Sequence, residues 1–423
     1  MRIFVLSALL LLTAKTFSQT AYQIKNRFDK YLNYKGSLDK YVEIAAHKIT
    51  FYKYTGGKKE EDFVLPKDTW PAVAELIKFL PADSAESLHQ ILKGKQNFNV
   101  YGVSPVKEKI KMPEKPLAGI KIMIDPGHIA GNMKMAQIEQ KYLHFTKEIY
   151  TDLKTDSVNI AEGVLTFQTA SILKIMLEAS GATVSLSRQN NTTTFGFTYE
   201  DWFKNKKKKT LDSLLTAEKI NAKKHKWLMH MSSKTFFVEF FKDYELQNRA
   251  RIINSFSPNL TVIIHYNVNE KNAPWLKPSD KDFCMAFIPG CIIDDNVQTT
   301  AGKINLLRLL LTNDIDESEK ISSLLVNELS KQLTILIAKE TDANYLSEHC
   351  TSTSSAGVYC RNLALCRLVQ SPLVYGECLY QDNEKECYEL IKNTEDNFGI
   401  QTNKRVVLAA QSFFNAITKY YSK

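Results

Sequence analysis

The sequence predicts an α/β protein built on a mainly parallel sheet, with helices on both faces and a small mixed region in front of it. Two observations carry that expectation. Short apolar runs suited to buried strands recur from Gly119 onward, and long stretches with apolar residues at helical spacing separate them. Strands alternating with long helices close most readily as a parallel sheet covered on both faces.

The elements follow in order. Residues 19–102 mix short amphipathic segments (Tyr22–Leu32, Trp70–Leu80, Ala82–Leu92) with one strand candidate, Ile49–Tyr54, and carry no catalytic pattern. Residues 103–118 hold three prolines and six charges and read as an extended linker. A second unit is expected from Gly119 to the C-terminus. Its strands are Ile120–Ile124, Ala182–Leu186, Thr261–Ile264, Phe283–Ile288 and Leu373–Tyr375. Its long helices are Asn159–Ala179, Ile321–Ile337 and Lys404–Ile417. Two connections are too long for simple loops: Asn132–Asp156 and Gln189–Glu245. The second carries "KNKKKK" and "KKHK" beside aromatic clusters, and is expected to be an atypical insertion that covers or extends the site. The simpler reading of its lysine runs is a solvated helix face.

Composition sets the class. The 423 residues are 44% hydrophobic and 24% charged, which is ordinary for a folded chain. The excess of 55 Lys+Arg over 46 Asp+Glu, +9, is mild for this length and does not indicate nucleic acid. Arg2, the apolar run Ile3–Leu12 and small residues up to Ser18 read as a signal peptide cut near Ser18–Gln19. That implies an exported protein of the periplasm, envelope or exterior, with no transmembrane segment: the run is too short to span a bilayer. The seven cysteines all follow residue 280 and form no Cys-x-x-Cys pair, so a zinc ribbon is not indicated. The odd number leaves at least one thiol free or paired between chains.

Three strands end in residues able to bind a metal or move protons. "IMIDPGH" delivers His128, "TVIIH" delivers His265 and "SPLVYGE" delivers Glu377. Asp125-Pro126-Gly127 stops the first strand, because proline offers no ladder donor and glycine permits a sharp turn. In open α/β sheets, ligands collect at the carboxyl ends of strands. Glu162 opens the long helix, where the helix dipole also favours a carboxylate. Two histidines with one carboxylate make a recurrent zinc set, leaving a position for water; His128, Glu162 and His265 are the candidate ligands for Zn2+ and Glu377 the candidate acid/base. No His-Glu-x-x-His helix is present, which excludes the ordinary zincin pattern.

Five ordered blocks then resemble a known family. They are "IDPGH" (Ile124–His128), "EGVLTFQTASILKIMLEASGATVSLSR" (Glu162–Arg188), "LQNRARIIN" (Leu246–Asn254) with "IIHYN" (Ile263–Asn267), "AGVYCRNLALCR" (Ala356–Arg367) and "SPLVYGECLYQDNEKE" (Ser371–Glu386). Together they resemble the zinc-dependent N-acetylmuramoyl-L-alanine amidase catalytic domain of bacterial cell-wall amidases. The resemblance covers about Gly119 to the C-terminus. It implies a twisted six-stranded sheet, zinc on His128, Glu162 and His265, and Glu377 as catalytic glutamate. It also implies hydrolysis of the amide between N-acetylmuramic acid and L-alanine in peptidoglycan. Asn267 and Arg188 are candidates to shape the substrate site, and each suits a structural hydrogen-bonding role equally well. A regulatory protein partner is compatible with this reading. A zinc peptidase or carboxypeptidase on wall peptides, or a non-catalytic wall-binding regulator, would share the same residues. The family pattern usually has Gly-Gly after the first histidine, serine before the second and Gly-Phe after the glutamate. Here those places hold Ile129-Ala130, Ile264 and Cys378-Leu379.

Overall fold

The computed structural model describes residues 20–79, 84–94, 115–146, 157–272, 276–392 and 394–422. The expected signal peptide lies outside the described residues, as does the expected linker except for residues 115–118.

The N-terminal part begins with α1 (Ala21–Arg27), capped reciprocally by Thr20 and Gln23 and continued by a π-turn over Phe28–Leu32. A meander follows of β1 (Val42–Ile44), β2 (Lys48–Thr55) and β3 (Lys58–Pro66). Gly56 and Gly57, both at positive φ, form the two-residue hairpin turn. Helices α2 (Trp70–Phe79) and α3 (Ala85–Leu92) pack behind it. This part shares its core with the rest of the chain: Ile24, Leu32, Phe51 and Leu88 belong to one apolar cluster with Leu307, Leu310 and Ile122. Buried Asp62 on β3 reinforces the junction. It accepts from Lys303 at 2.5 Å, pairs with Lys93 at 2.7 Å and meets His89 at 3.0 Å.

The remainder forms the expected α/β layers. In chain order come β4 (Lys121–Pro126), α4 (Met133–Glu139), β5 (Tyr142–Thr146), β6 (Ser157–Ala161), α5 (Glu162–Ala179) and β7 (Thr183–Leu186). An all-helical segment follows: α6 (Tyr199–Asn205), α7 (Lys207–Thr216), α8 (Ala222–Met229), α9 (Ser233–Phe236), a π-turn Phe237–Phe241, and α10 (Lys242–Phe256). Next are β8 (Leu260–Asn267), β9 (Phe283–Pro289), α11 (Thr300–Leu311), α12 (Asp314–Leu333) and β10 (Leu336–Ile337). The chain ends with α13 (Asn344–His349), β11 (Cys350–Ser352), β12 (Val358–Arg361), α14 (Ala364–Leu368), β13 (Leu373–Tyr380), α15 (Glu384–Leu390), the hairpin β14 (Glu395–Asn397) and β15 (Ile400–Thr402), and α16 (Lys404–Tyr421).

The sheet has eight strands where the resemblance implied six. The order is β11-β12-β9-β13-β8-β4-β7, with β10 added beside β9. The short strands β10 and β11, of two and three residues, account for the difference, since such pieces leave no periodic signal. Pairing is parallel except at β13–β9 and β11–β12. Alternation along the strands splits the two faces. Ile122, Ile124, Val262, Ile264 and Val374 join the large cluster under α5, α12 and α16, while Met123, Ile263 and Leu373 face α10 and α14.

Two expected helices differ in extent. Residues 157–161 pair with β5 as a strand, so the first long helix starts at Glu162 rather than Asn159. The helix expected to reach Ile337 stops at Leu333, where Thr334 takes a left-handed conformation (φ 55°) and Leu336–Ile337 pair with β9. All seven cysteines are buried thiols. Among the described residues no helix is long and apolar enough to cross a membrane.

Candidate metal centre

Three elements converge on one point at the carboxyl edge of the sheet. β4 ends at Pro126, and the turn after it presents His128 in a left-handed conformation (φ 58°), which costs a non-glycine residue on the order of 1–3 kcal/mol. The turn is over-determined. Arg188 donates to the carbonyls of Pro126 (3.1 Å) and Gly127 (2.9 Å). Arg249 donates to those of Pro126 (3.1 Å) and His128 (3.2 Å), and Thr166 to that of Gly127 (2.7 Å). Gly127 is needed for close approach: a Cβ there would stand 2.4–2.6 Å from the His265 ring and the Ile264 carbonyl.

His265 is reached on β8, which runs two residues past it. Glu162 is the first residue of α5, and Gly163 behind it lets the helix start press on the backbone of Ala130, where a Cβ would sit 2.7 Å away. Glu162 Oε1 accepts from His265 Nδ1 (2.9 Å) and from the Tyr266 amide (3.1 Å), and lies 3.1 Å from His128 Nε2. Oε2 accepts from Gln381 (3.3 Å). One ligand atom from each of His128, Glu162 and His265 lies within 4.8 Å of the others.

The donor set fits a small divalent cation. His128 Nε2 is buried and lacks a hydrogen-bond partner despite its 3.1 Å approach to Glu162, because the approach is out of line. Ligand atoms around tetrahedral zinc stand about 3.3 Å from one another, and the two separations from Glu162 to the histidines are 2.9 and 3.1 Å. The charges agree. Burial opposes protonation of His128, but the Glu162 carboxylate, with help from Glu139, overrides it and lifts its pKa to about 9. Burial, with His128 adding to it, drives His265 down to about 4. Burial also works against the Glu162 anion, yet the two histidines hold its pKa well below the ordinary carboxylate value. A buried anion that recruits a proton onto its neighbour is placed to take a cation instead.

Glu377 lies on β13 in register with His265, one strand away at a spacing of about 4.8 Å, so both side chains leave the sheet on the same face. Tyr375, two residues earlier, stacks on the His265 ring at 4.6 Å. Burial, then the Glu162 charge, push the Glu377 pKa up to about 8, opposed by Lys141 and Arg361. The strand does not end there as expected: it continues to Tyr380, with a register shift between Glu377 and Tyr380.

The two expected substrate-shaping residues fare differently. Arg188 is 3% exposed and its donors are spent on backbone carbonyls, so it positions the His128 turn and does not face a ligand. Asn267 is half-buried at the site's edge, donating to the Tyr345 hydroxyl at 2.7 Å.

Several residues emerge only from the fold. Glu139 on α4 accepts from the Ile129 amide (3.0 Å) and the Ala130 amide (2.9 Å), and reaches within 3.7 Å of His128 Nδ1. It orients the first histidine as carboxylates behind metal-bound imidazoles do. Arg249 joins buried Asp125 (3.3 Å) to Glu245 (3.4 Å). Arg361 stacks over Phe287 and Tyr345 at 4.7 and 4.6 Å. Glu139 belongs to no strand or helix that the sequence predicts. Arg249 and Arg361 fall inside two of the resembling blocks, but nothing in their local pattern sets them apart from their neighbours.

The helical segment between β7 and β8 buttresses the same turn. Ile129 and Ala130 pack into an aromatic core with Tyr199, Trp202, Phe237 and Phe241. The substitutions for Gly-Gly thus have a physical reason: they bury apolar surface that the insertion supplies.

The sequence profile of the family described as N-acetylmuramoyl-L-alanine amidase matches residues 122–402. No curated protein matches the sequence. Similar solved structures include the CwlD amidase of Clostridioides difficile in complex with the GerS lipoprotein: 17% identity, 72% of this chain and 98% of that one, TM-score 0.37. Others are apo Ami1 of Mycobacterium abscessus (14%, 72% and 99%, 0.38) and the catalytic domain of CwlV from Bacillus (Paenibacillus) polymyxa var. colistinus (12%, 72% and 98%, 0.38).

Proposed function

Because the chain belongs to the N-acetylmuramoyl-L-alanine amidase family, we propose that it hydrolyses the amide joining the lactyl group of N-acetylmuramic acid to the L-alanine of the peptidoglycan stem. The observation that carries this reading to particular atoms is the convergence of His128, Glu162 and His265, with Glu377 in register beside them. The three residues would hold zinc. Bound there, zinc supplies Lewis-acid polarisation and lowers the pKa of a water toward about 7.

The chain's own residues do the rest. Glu377 accepts a proton from the attacking water as the carbonyl carbon becomes tetrahedral, then returns it to the alanine nitrogen, a poor leaving group until protonated. Burial favours the protonated acid that the return step needs, while a cation beside Glu162 would favour the carboxylate that the first step needs. Glu139 and Arg249 keep the His128 turn fixed through both steps. Asn267, Tyr345 and Arg361 supply a polar, aromatic wall against which a sugar or stem peptide is oriented. Peptidoglycan is the proposed partner, and export by the N-terminal segment the corresponding location.

Metal analysis with turnover on purified muropeptides tests the assignment. The wild type should carry about one zinc per chain and lose turnover on chelation. His128→Ala, His265→Ala and Glu162→Ala should each lose both metal and turnover. Full zinc occupancy in any of the three would contradict the ligand set.

A further inference from the structure

Residues 204–234, within the helical insertion, hold ten lysines against Asp212 and Glu218, a net of +8 out of +9 for the whole chain. Nearly all the excess charge is therefore gathered in one short segment, and eight of those lysines are exposed. One of the ten is structural: Lys207 is buried, donates to the carbonyls of Met229 (3.0 Å) and Met231 (3.3 Å), and stacks on Phe203 and Phe236. That contact, with His225 at 2.9 Å from Asp212, fixes α8 against α7.

Its packing leaves α8 with a defined outer face. Leu228 is buried and His225 half-buried, pointing inward. On the opposite side, at helical spacing, Lys223, Lys226, Trp227 and His230 all face solvent. Trp227 is 52% exposed. Among the described residues, none of Lys223, Lys224 and Lys226 has an ion-pair partner, while Lys208 on α7 is tied to Asp212.

We propose that this face of the α7–α8 hairpin is a docking surface for an anionic phospholipid bilayer. Charge alone would suit any polyanion. The exposed indole decides between them. A hydrophilic phosphate polymer would engage the lysines and leave Trp227 in water. A bilayer surface takes both, with the indole at headgroup level and the lysines among the lipid phosphates. No described helix is able to span a membrane, so the attachment is peripheral and reversible by salt. This surface includes none of the metal-centre residues, and its test needs no turnover.

The experiment is vesicle flotation of the whole protein. Vesicles of phosphatidylcholine with about a third phosphatidylglycerol should capture it, pure phosphatidylcholine should not, and about 0.5 M salt should release it. Each lysine near the surface contributes about fivefold to the partition, so Lys223→Gln with Lys226→Gln should weaken it about 25-fold. Trp227→Ala should weaken it further, with thermal melts of both variants matching the wild type. Brominated phosphatidylglycerol should quench wild-type tryptophan emission, a readout that requires no variant. Equal capture by neutral vesicles, absence of quenching, or preference for soluble polyphosphate over vesicles with no effect of Trp227→Ala would each overturn the proposal.

Discussion

Replacing Glu377 by glutamine removes one negative charge and a proton acceptor while keeping the side chain's shape. Glu377 is 8% exposed, and its carboxyl pKa stands at about 8 because burial and Glu162 disfavour the anion. Two consequences follow from that one fact. Loss of positioned acid/base help typically costs on the order of 10²–10⁴-fold in rate, so turnover on muropeptides should fall at least about a hundredfold. Metal-free stability should move the other way. A carboxyl raised in the folded state contributes stability that is complete below the unfolded pKa near 4.3 and is lost as pH rises toward about 8. The amide in Glu377→Gln does not titrate, so the chelated variant should gain on the chelated wild type across that window, by on the order of a few kcal/mol at most. The assays are muropeptide turnover, zinc content and denaturant midpoints of the metal-free proteins at about pH 5 and pH 9. Retained turnover would show that another group moves the proton. Loss of zinc would make Glu377 a ligand and overturn the assignment of the other three.

Other expectations follow from the same structure. Asp62→Ala should strand Lys303, buried beside it, and cost about 3–5 kcal/mol in denaturant melts. Burial opposes the Asp62 anion, but Lys303, Lys93 and His89 hold its pKa below the usual value. Its stabilisation is therefore present above about pH 4 and lost as pH falls below, and Asp62→Asn should flatten the acid limb of the stability curve. Arg249→Met should leave Asp125 and Glu245 as unpaired buried carboxylates, lowering stability by about 3–5 kcal/mol and zinc retention with it; unchanged retention would free the His128 turn from this support. Arg361→Ala should raise KM on stem-bearing muropeptides by about tenfold with zinc content unchanged, and an unaltered KM would remove it from the substrate wall.

Much of the candidate site was legible because apolar runs mark strands even where the strand ends do not coincide with them. Runs closing on His128, His265 and Glu377 point to one edge of a parallel sheet, although β8 and β13 continue past the last two, and the helix opened by Glu162 has an ordinary 3.6-residue pattern. What stayed hidden is contributed from afar by single side chains. Glu139 sits on a helix of only seven residues in a long connection, Tyr345 on one of six residues, and Gln381 just past the end of β13. The role of Arg188 stayed open between two alternatives for a related reason. An arginine after a strand is as able to face substrate as to bind backbone, and only the turn at 126–128, with its carbonyls pointing inward, decides. Residues 159–161 read as helix because Asn159–Ala161 continue the helical pattern; their pairing with Tyr142–His144 is a non-local fact.

The central claim is that the centre at His128, Glu162 and His265 cuts one particular amide. Mass spectrometry of purified peptidoglycan after incubation with the protein tests it most directly, with and without chelator. The account predicts stem peptides with a free L-alanine amino terminus and glycan strands with free lactyl carboxyls, abolished by chelation and restored by zinc. Fragments cut within the stem, with the lactyl amide intact, would make the protein a wall peptidase, and zinc-loaded protein yielding no fragments at all would make it a binding protein on an amidase fold.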